Sequence, residues 1–137
     1  MIYSLLYTIA FLLATPVVLA LPRLRRKYLA TFKQRLGFGL DVINPDKQPA
    51  IWLHAVSVGE ALAAKSLITA LRSDFPGYRI LVSTTTTTGQ EIARKNLDAD
   101  GFFYFPYDWK FAVRRCLKKT GARLCVVMET ELWPNFI

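Results

Sequence analysis

Residues 51–60, Ile-Trp-Leu-His-Ala-Val-Ser-Val-Gly-Glu, run from strand formers through a tight turn into a helix start, and this junction admits few architectures. Ala61 to Asp74 follows as a helix, because Ala64, Leu67, Ile68 and Leu71 recur at i, i+3, i+4 and i+7, and Phe75-Pro-Gly77 ends it. The same alternation then repeats. Ile80 to Ser83 reads as a second strand and Gln90 to Asn96 as a helix; Phe102 to Phe105 is a third strand, and Lys110 to Lys119 a helix. Arg123 to Met128 is a fourth strand, apolar enough for the centre of a parallel sheet. Strands alternating with helices imply parallel pairing through right-handed crossovers, an α/β fold with a Rossmann-like sheet.

Such a sheet collects its functional loops on one rim, at the carboxyl ends of the strands. Ser57, Gly59 and Glu60 follow the first strand, and the five threonines 84–88 with Gly89 follow the second. Glu129, Thr130 and Glu131 follow the fourth, on the same edge as Glu60. A carboxylate in a helix's first turn is favoured by the unpaired N–H groups there, and at a cleft mouth it is also a candidate general base. The threonine run reads either as a helix cap or as a cradle of hydroxyls and N–H groups for an anion. His54, the single histidine, sits within a strand and reads as a hydrogen-bonded core residue. No Gly-x-Gly-x-x-Gly or Walker pattern is present, so a nucleotide loop is not expected here, and no metal site is expected either.

The net charge of +8 suggests nucleic acid until it is located. Arg23, Arg25, Arg26, Lys27, Lys33 and Arg35 meet no acid in residues 1–40, whereas the other twelve basic residues face ten acids. The basicity therefore belongs to the N-terminal region, and nucleic-acid binding is not expected. Ile2 to Leu21 carries no charged side chain, which is about the length that crosses a ~30 Å hydrocarbon layer. The charge follows this stretch instead of preceding it, unlike a cleaved leader, and sets the globular part on the cytoplasmic side. Three dispositions fit: a span with Pro16 as a kink site, a helix in the membrane plane, or a buried core helix. Residues 28–40, ending in Gly37-Phe-Gly39, suit an amphipathic element on anionic headgroups, and 41–49 reads as a loop. Cys116 and Cys125 lack metal spacing and read as reduced thiols. The division expected is an anchor at 1–22, a basic juxtamembrane segment and linker at 23–49, and a Rossmann-like domain at 50–137.

Four blocks now acquire a common meaning. Ser57-Val-Gly-Glu60 after Trp52-Leu-His54, Thr88-Gly89 with Glu91 two residues on, Pro106-Tyr-Asp108, and Met128-Glu-Thr-Glu-Leu-Trp-Pro-Asn135 occur in the order found in the 3-deoxy-D-manno-octulosonic acid (Kdo) transferases, which this chain resembles from its apolar N-terminus to its last residue. The resemblance implies an inverting glycosyltransferase of the two-domain GT-B type at the inner membrane. Its reaction moves Kdo from CMP-Kdo onto a lipid A precursor in lipopolysaccharide inner-core synthesis, without a cofactor. The chain would be the acceptor-binding half, inactive without its donor-binding C-terminal domain. By that likeness Glu60 is the catalytic base and Glu129 supports the transition state, while Ser57, Gly59, Thr88, Gly89, Glu131, Trp133 and Asn135 line the cleft. Thr87 stands where many members have Pro, and Ser83 where Thr is usual. The alternative reading is a membrane-tethered binding module without catalysis, holding lipid A or a partner protein.

Overall fold

The computed structural model describes residues 2–128 and 133–137. Two helices lead, α1 (Ile2–Ala20) and α2 (Pro22–Arg35); then come β1 (Ala50–His54), α3 (Val58–Asp74), β2 (Arg79–Thr84), α4 (Thr87–Asn96), β3 (Gly101–Tyr104), α5 (Lys110–Thr120) and β4 (Ala122–Val127). The four strands form one sheet in the order β3-β2-β1-β4, every pair parallel.

Side-chain alternation along the strands divides the core. Ile51 and Leu53 of β1 with Ile80 and Val82 of β2 face one way and meet Ala61, Ala64, Ile68 and Leu71 of α3 and Ala93 of α4. Ala50, Trp52 and Leu81 face the other way, toward Phe103, Phe105, Leu40, Ile43 and Cys116 of α5. Helices α3 and α4 thus cover one face as the chain steps from β1 to β3, and α5 returns it across the opposite face to β4. A fixed crossover hand requires that change of face when the direction reverses. The reversal falls at the β1–β4 pair, and beside such a reversal open α/β sheets hold their ligands.

Several boundaries differ from the sequence reading for local reasons. Thr87 and Thr88 belong to α4 and not to the loop, because the Thr86 hydroxyl accepts from the Gly89 amide at 3.0 Å and starts the helix there. Among the described residues β4 is an edge strand and not central. Its apolar composition serves two faces: Val126 and Met128 pack against one core cluster, Ala122 and Cys125 against the other, while Leu124 and Val127 stay exposed. Pro16 lies inside α1 without ending it. Residues 36–49 contain turns yet pack into the domain, with Leu40 and Asn44 buried. The Asn44 amide donates to Gln48 O (2.7 Å) and Thr120 O (2.8 Å).

Gly121 closes α5 in the left-handed region, at φ +67°. A Cβ there would lie 2.8 Å from Gln48 O and 2.9 Å from Asn44 Nδ2. Gly121→Ala is therefore expected to cost about 1–3 kcal/mol, from the backbone conformation and the crowding together, as measured by urea unfolding. Burial raises the Cys116 thiol above its ordinary pKa and pushes Cys125 up to about 12, so both stay protonated and unreactive.

Candidate active site

At the carboxyl end of β1 the chain turns through Ala55 and Val56 into Ser57, the N-cap of α3. The Ser57 hydroxyl accepts from the Glu60 amide at 3.2 Å, and the Glu60 carboxylate returns to the turn, Oε1 accepting from Ser57 N (3.1 Å) and Oε2 from Val56 N (2.8 Å). This capping box satisfies amides that would otherwise be unpaired at the helix start, and it holds the half-buried carboxylate on the rim. A carboxylate offers about four acceptor sites, so two backbone bonds orient it without exhausting it. The helix-start reading of Glu60 is correct as far as it goes, and it also supplies the rigidity that a base requires.

Gly59 is exposed in the first turn of α3, and a Cβ there would meet only Ser57 Oγ, at 3.9 Å. The fold itself has no need of glycine at that position. Gly59→Ala is expected to raise stability by about 0.4–1 kcal/mol through the unfolded chain, which thermal melting will show as a higher Tm. Gly89 differs: it is buried, and a Cβ there would lie 3.0 Å from the Thr86 hydroxyl and 3.7 Å from Val56 O, so the α4 start fits closely against the β1–α3 turn. Thr88 beside it is exposed.

The end of β4 reaches the same place. Val127 pairs with His54, and the Met128 amide donates to His54 O at 2.9 Å, which sets Met128, the residue after β4, beside the end of β1. Glu129 and Glu131 lie outside the described residues. Beneath this edge His54 is fully buried, its Nδ1 2.9 Å from Ser83 Oγ and its ring stacked on Phe105 with centres 4.0 Å apart. Ser83 Oγ also accepts the Trp52 indole N–H at 2.7 Å. His54 is thus a core residue joining β1, β2 and the segment after β3.

Beyond the ends of β2 and β3 opens a cleft of about 230 Å³, lined in part by Lys27, Arg35, Thr85–Thr87, Tyr107, Asp108 and Trp133. Arg35, counted in the sequence among juxtamembrane charges, turns inward. Its guanidinium donates to Phe105 O (3.2 Å) and to Thr85 O, and lies 5.6 Å and 5.5 Å from the Tyr104 and Tyr107 ring centres. Burial lowers its pKa from the ordinary value, though an arginine remains charged. Among the described residues, Arg35 Nε and the buried Tyr107 hydroxyl have no hydrogen-bond partner, which marks the cleft as a polar recess. Lys27 and Arg35 bring positive charge to this cleft, and Asp108, whose buried Oδ1 is likewise without a partner among the described residues, brings a carboxylate.

Asn135 clasps this end of the molecule: its backbone N–H and side-chain amide donate to Asp108 Oδ2 (3.1 Å) and Asp108 O (2.6 Å), and its Oδ1 accepts from Ser4 Oγ (3.0 Å). Trp133 packs toward Phe105, ring centres 6.5 Å apart. Arg35, Tyr107 and Asp108 were not singled out as site residues; the one sequence signal toward them was the Pro106-Tyr-Asp108 turn.

A four-stranded parallel α/β sheet with an acidic capping box at its strand reversal defines the class, a Rossmann-like α/β domain. A family model described as 3-deoxy-D-manno-octulosonic-acid transferase (kdotransferase) matches residues 30–137, and the chain belongs to that family. It is 37% identical to a 3-deoxy-D-manno-octulosonic acid transferase of Haemophilus influenzae over 96% of this chain and 32% of that protein. The same named enzyme of Chlamydia trachomatis is 25% identical over 99% of this chain and 32% of its own length. A bifunctional glycosyltransferase/methyltransferase of Fusobacterium nucleatum is 33% identical over 98% of this chain and 20% of that protein. The chain thus spans about a third or less of the curated relatives it matches, 32%, 32% and 20% of the three.

Proposed function

We propose that this chain is the acceptor-binding half of an inverting, GT-B-type Kdo transferase, which moves Kdo from CMP-Kdo to a lipid A precursor at the cytoplasmic face of the inner membrane. The observation that carries the reading is the carboxylate of Glu60, held by two backbone amides at the strand reversal of a chain that belongs to this family.

The chemistry follows from that placement. An acceptor sugar hydroxyl is a weak nucleophile until its proton is removed as the new bond forms, and Glu60 accepts that proton. The hydroxyl oxygen attacks the anomeric carbon of Kdo as the bond to the CMP phosphate oxygen breaks; the electron pair leaves with CMP, and the configuration inverts. Positive charge develops on the Kdo ring during departure, and a second carboxylate, Glu129, stabilises it. Gly59, lacking a side chain on the rim, lets the acceptor approach the α3 N-terminus, so Gly59→Ala lowers transfer while the fold gains stability. Thr88, Gly89, Glu131 and Trp133 complete the lining in this reading, with Asn135 acting through Asp108. The donor nucleotide is held mainly by a further domain.

The test is a chimera that joins this chain to the remaining two-thirds of the Haemophilus influenzae relative. CMP-Kdo-dependent transfer to a lipid A precursor is expected. A chimera that binds CMP-Kdo as the intact relative does, yet transfers nothing, contradicts the assignment.

A further inference from the structure

Helix α1 is long and apolar enough to cross a membrane by length and composition, and none of its described residues is buried, which removes the reading of a core helix. It is not, however, uniform around its axis. Residues 3, 4, 7, 8, 11, 15 and 18 are partly covered, a single stripe at helical spacing, and everything else described in the helix is exposed.

The covered stripe is docked on the globular domain. Tyr7 Oη accepts from Asp108 N (3.3 Å), Thr8 Oγ1 from the Trp109 indole N–H (2.9 Å), and Ser4 Oγ donates to Asn135 (3.0 Å). Phe11 packs edge-on to Tyr107 and Trp109, with centres 5.2 Å and 4.8 Å away, and also touches Phe32 of α2 (6.3 Å). A helix fastened alongside the domain from residue 4 to residue 11 has only residues 12–20 left to enter hydrocarbon, about 14 Å against a layer of about 30 Å. The opposite stripe carries Leu5, Leu6, Ile9, Leu12, Leu13 and Val17, between 44% and 72% exposed. Just beyond α1, Arg23, Arg25, Arg26 and Lys27 are all exposed and no acid lies near them in sequence.

We infer that α1 lies in the plane of the membrane as a one-leaflet anchor: its leucine-rich stripe enters an anionic leaflet, its polar and aromatic stripe stays bolted to the domain, and the basic start of α2 rests on the headgroups. The occupant of the exposed apolar face is thus a lipid surface, selected by the adjoining positive charge, and not a second copy of the chain. This deepens the membrane association proposed above and is independent of any transfer activity. The domain is held with its carboxyl rim at the lipid boundary.

The experiment is sided cysteine labelling of the full chain in inner-membrane preparations, with Ile2→Cys on α1 and Lys95→Cys on the exposed face of α4 read by an impermeant maleimide; both native thiols are at least partly buried. An in-plane α1 keeps Ile2→Cys in the lipid-facing stripe and unlabelled from outside spheroplasts, while Lys95→Cys is labelled in inverted vesicles alone; Ile2→Cys labelled from outside overturns the inference. Spin labels at Leu6 and Leu13 are expected at equal depth, whereas a spanning helix separates them by about 10 Å. Arg23, Arg25 and Arg26 all changed to Gln should weaken partitioning onto phosphatidylethanolamine–phosphatidylglycerol vesicles about a hundredfold. Unchanged partitioning, or a soluble dimer that does not float with vesicles, would also overturn it. Since no arm measures transfer, loss of the enzymatic reading would leave this result standing, and the reverse.

Discussion

Glu60→Gln in the chimeric transferase is expected to lower the transfer rate by roughly 10² to 10⁴ while leaving the protein folded. The geometry explains why these two effects separate. Glutamine is accepted at the third position of a capping box, so its carbonyl oxygen keeps one of the two amide contacts now made to Val56 and Ser57. Losing the other costs about 1 kcal/mol, a modest part of a typical stability of about 5–15 kcal/mol. The carboxylate proposed to take the sugar proton, by contrast, is removed entirely. Glu60→Ala would remove both contacts and confuse the two effects, so the amide is the informative substitution. Full activity in Glu60→Gln would reject Glu60 as the base.

The largest loss of stability is expected at Trp52. Its indole is fully buried, with Phe103, Phe136 and Phe105 rings centred 5.0, 5.1 and 5.8 Å away, and its N–H bonded to Ser83 Oγ. Trp52→Ala should cost about 3–5 kcal/mol in urea unfolding, because the removed volume leaves a cavity between rings that relax only in part. Trp52→Phe keeps most of that packing and gives up the indole hydrogen bond, so a loss of about 1–2 kcal/mol is expected. A Trp52→Phe loss as large as that of Trp52→Ala would mean that the Trp52–Ser83–His54 chain, and not packing, dominates under the rim.

What the sequence disclosed depended on whether a residue's partners lay close along the chain. Ser57 with Glu60 is a contact over three residues, so the start of α3 could be read from local chemistry, whereas the equally local Thr86–Gly89 contact was hidden because five threonines in a row do not say which one caps α4. The apolar alternation of β1 and β2 and the stripe Ala64, Ile68, Leu71 were equally visible, since burial imposes a period. Arg35 was not: its acceptors Thr85 and Phe105 are 50 and 70 residues away, and in composition it is one more positive charge in a basic run. The docked stripe of α1 was hidden for a related reason. Ser4, Tyr7 and Thr8 are uncharged, so a hydropathy reading sees an unbroken apolar helix, and only their bonds to Asn135, Asp108 and Trp109 reveal a polar face. The edge position of β4 among the described residues depends on which strands pair, which its own composition does not encode.

Two places on the carboxyl edge of this sheet compete for the proposed acceptor, the capping-box rim at Ser57–Glu60 and the Arg35–Tyr107 cleft. A crystal structure of the complete transferase with its acceptor separates them most directly. The attacking hydroxyl is expected within about 2.6–3.2 Å of a Glu60 carboxylate oxygen. A hydroxyl seated instead among Thr85, Arg35 and Tyr107, with Glu60 still bonded only within its own chain, would contradict the account.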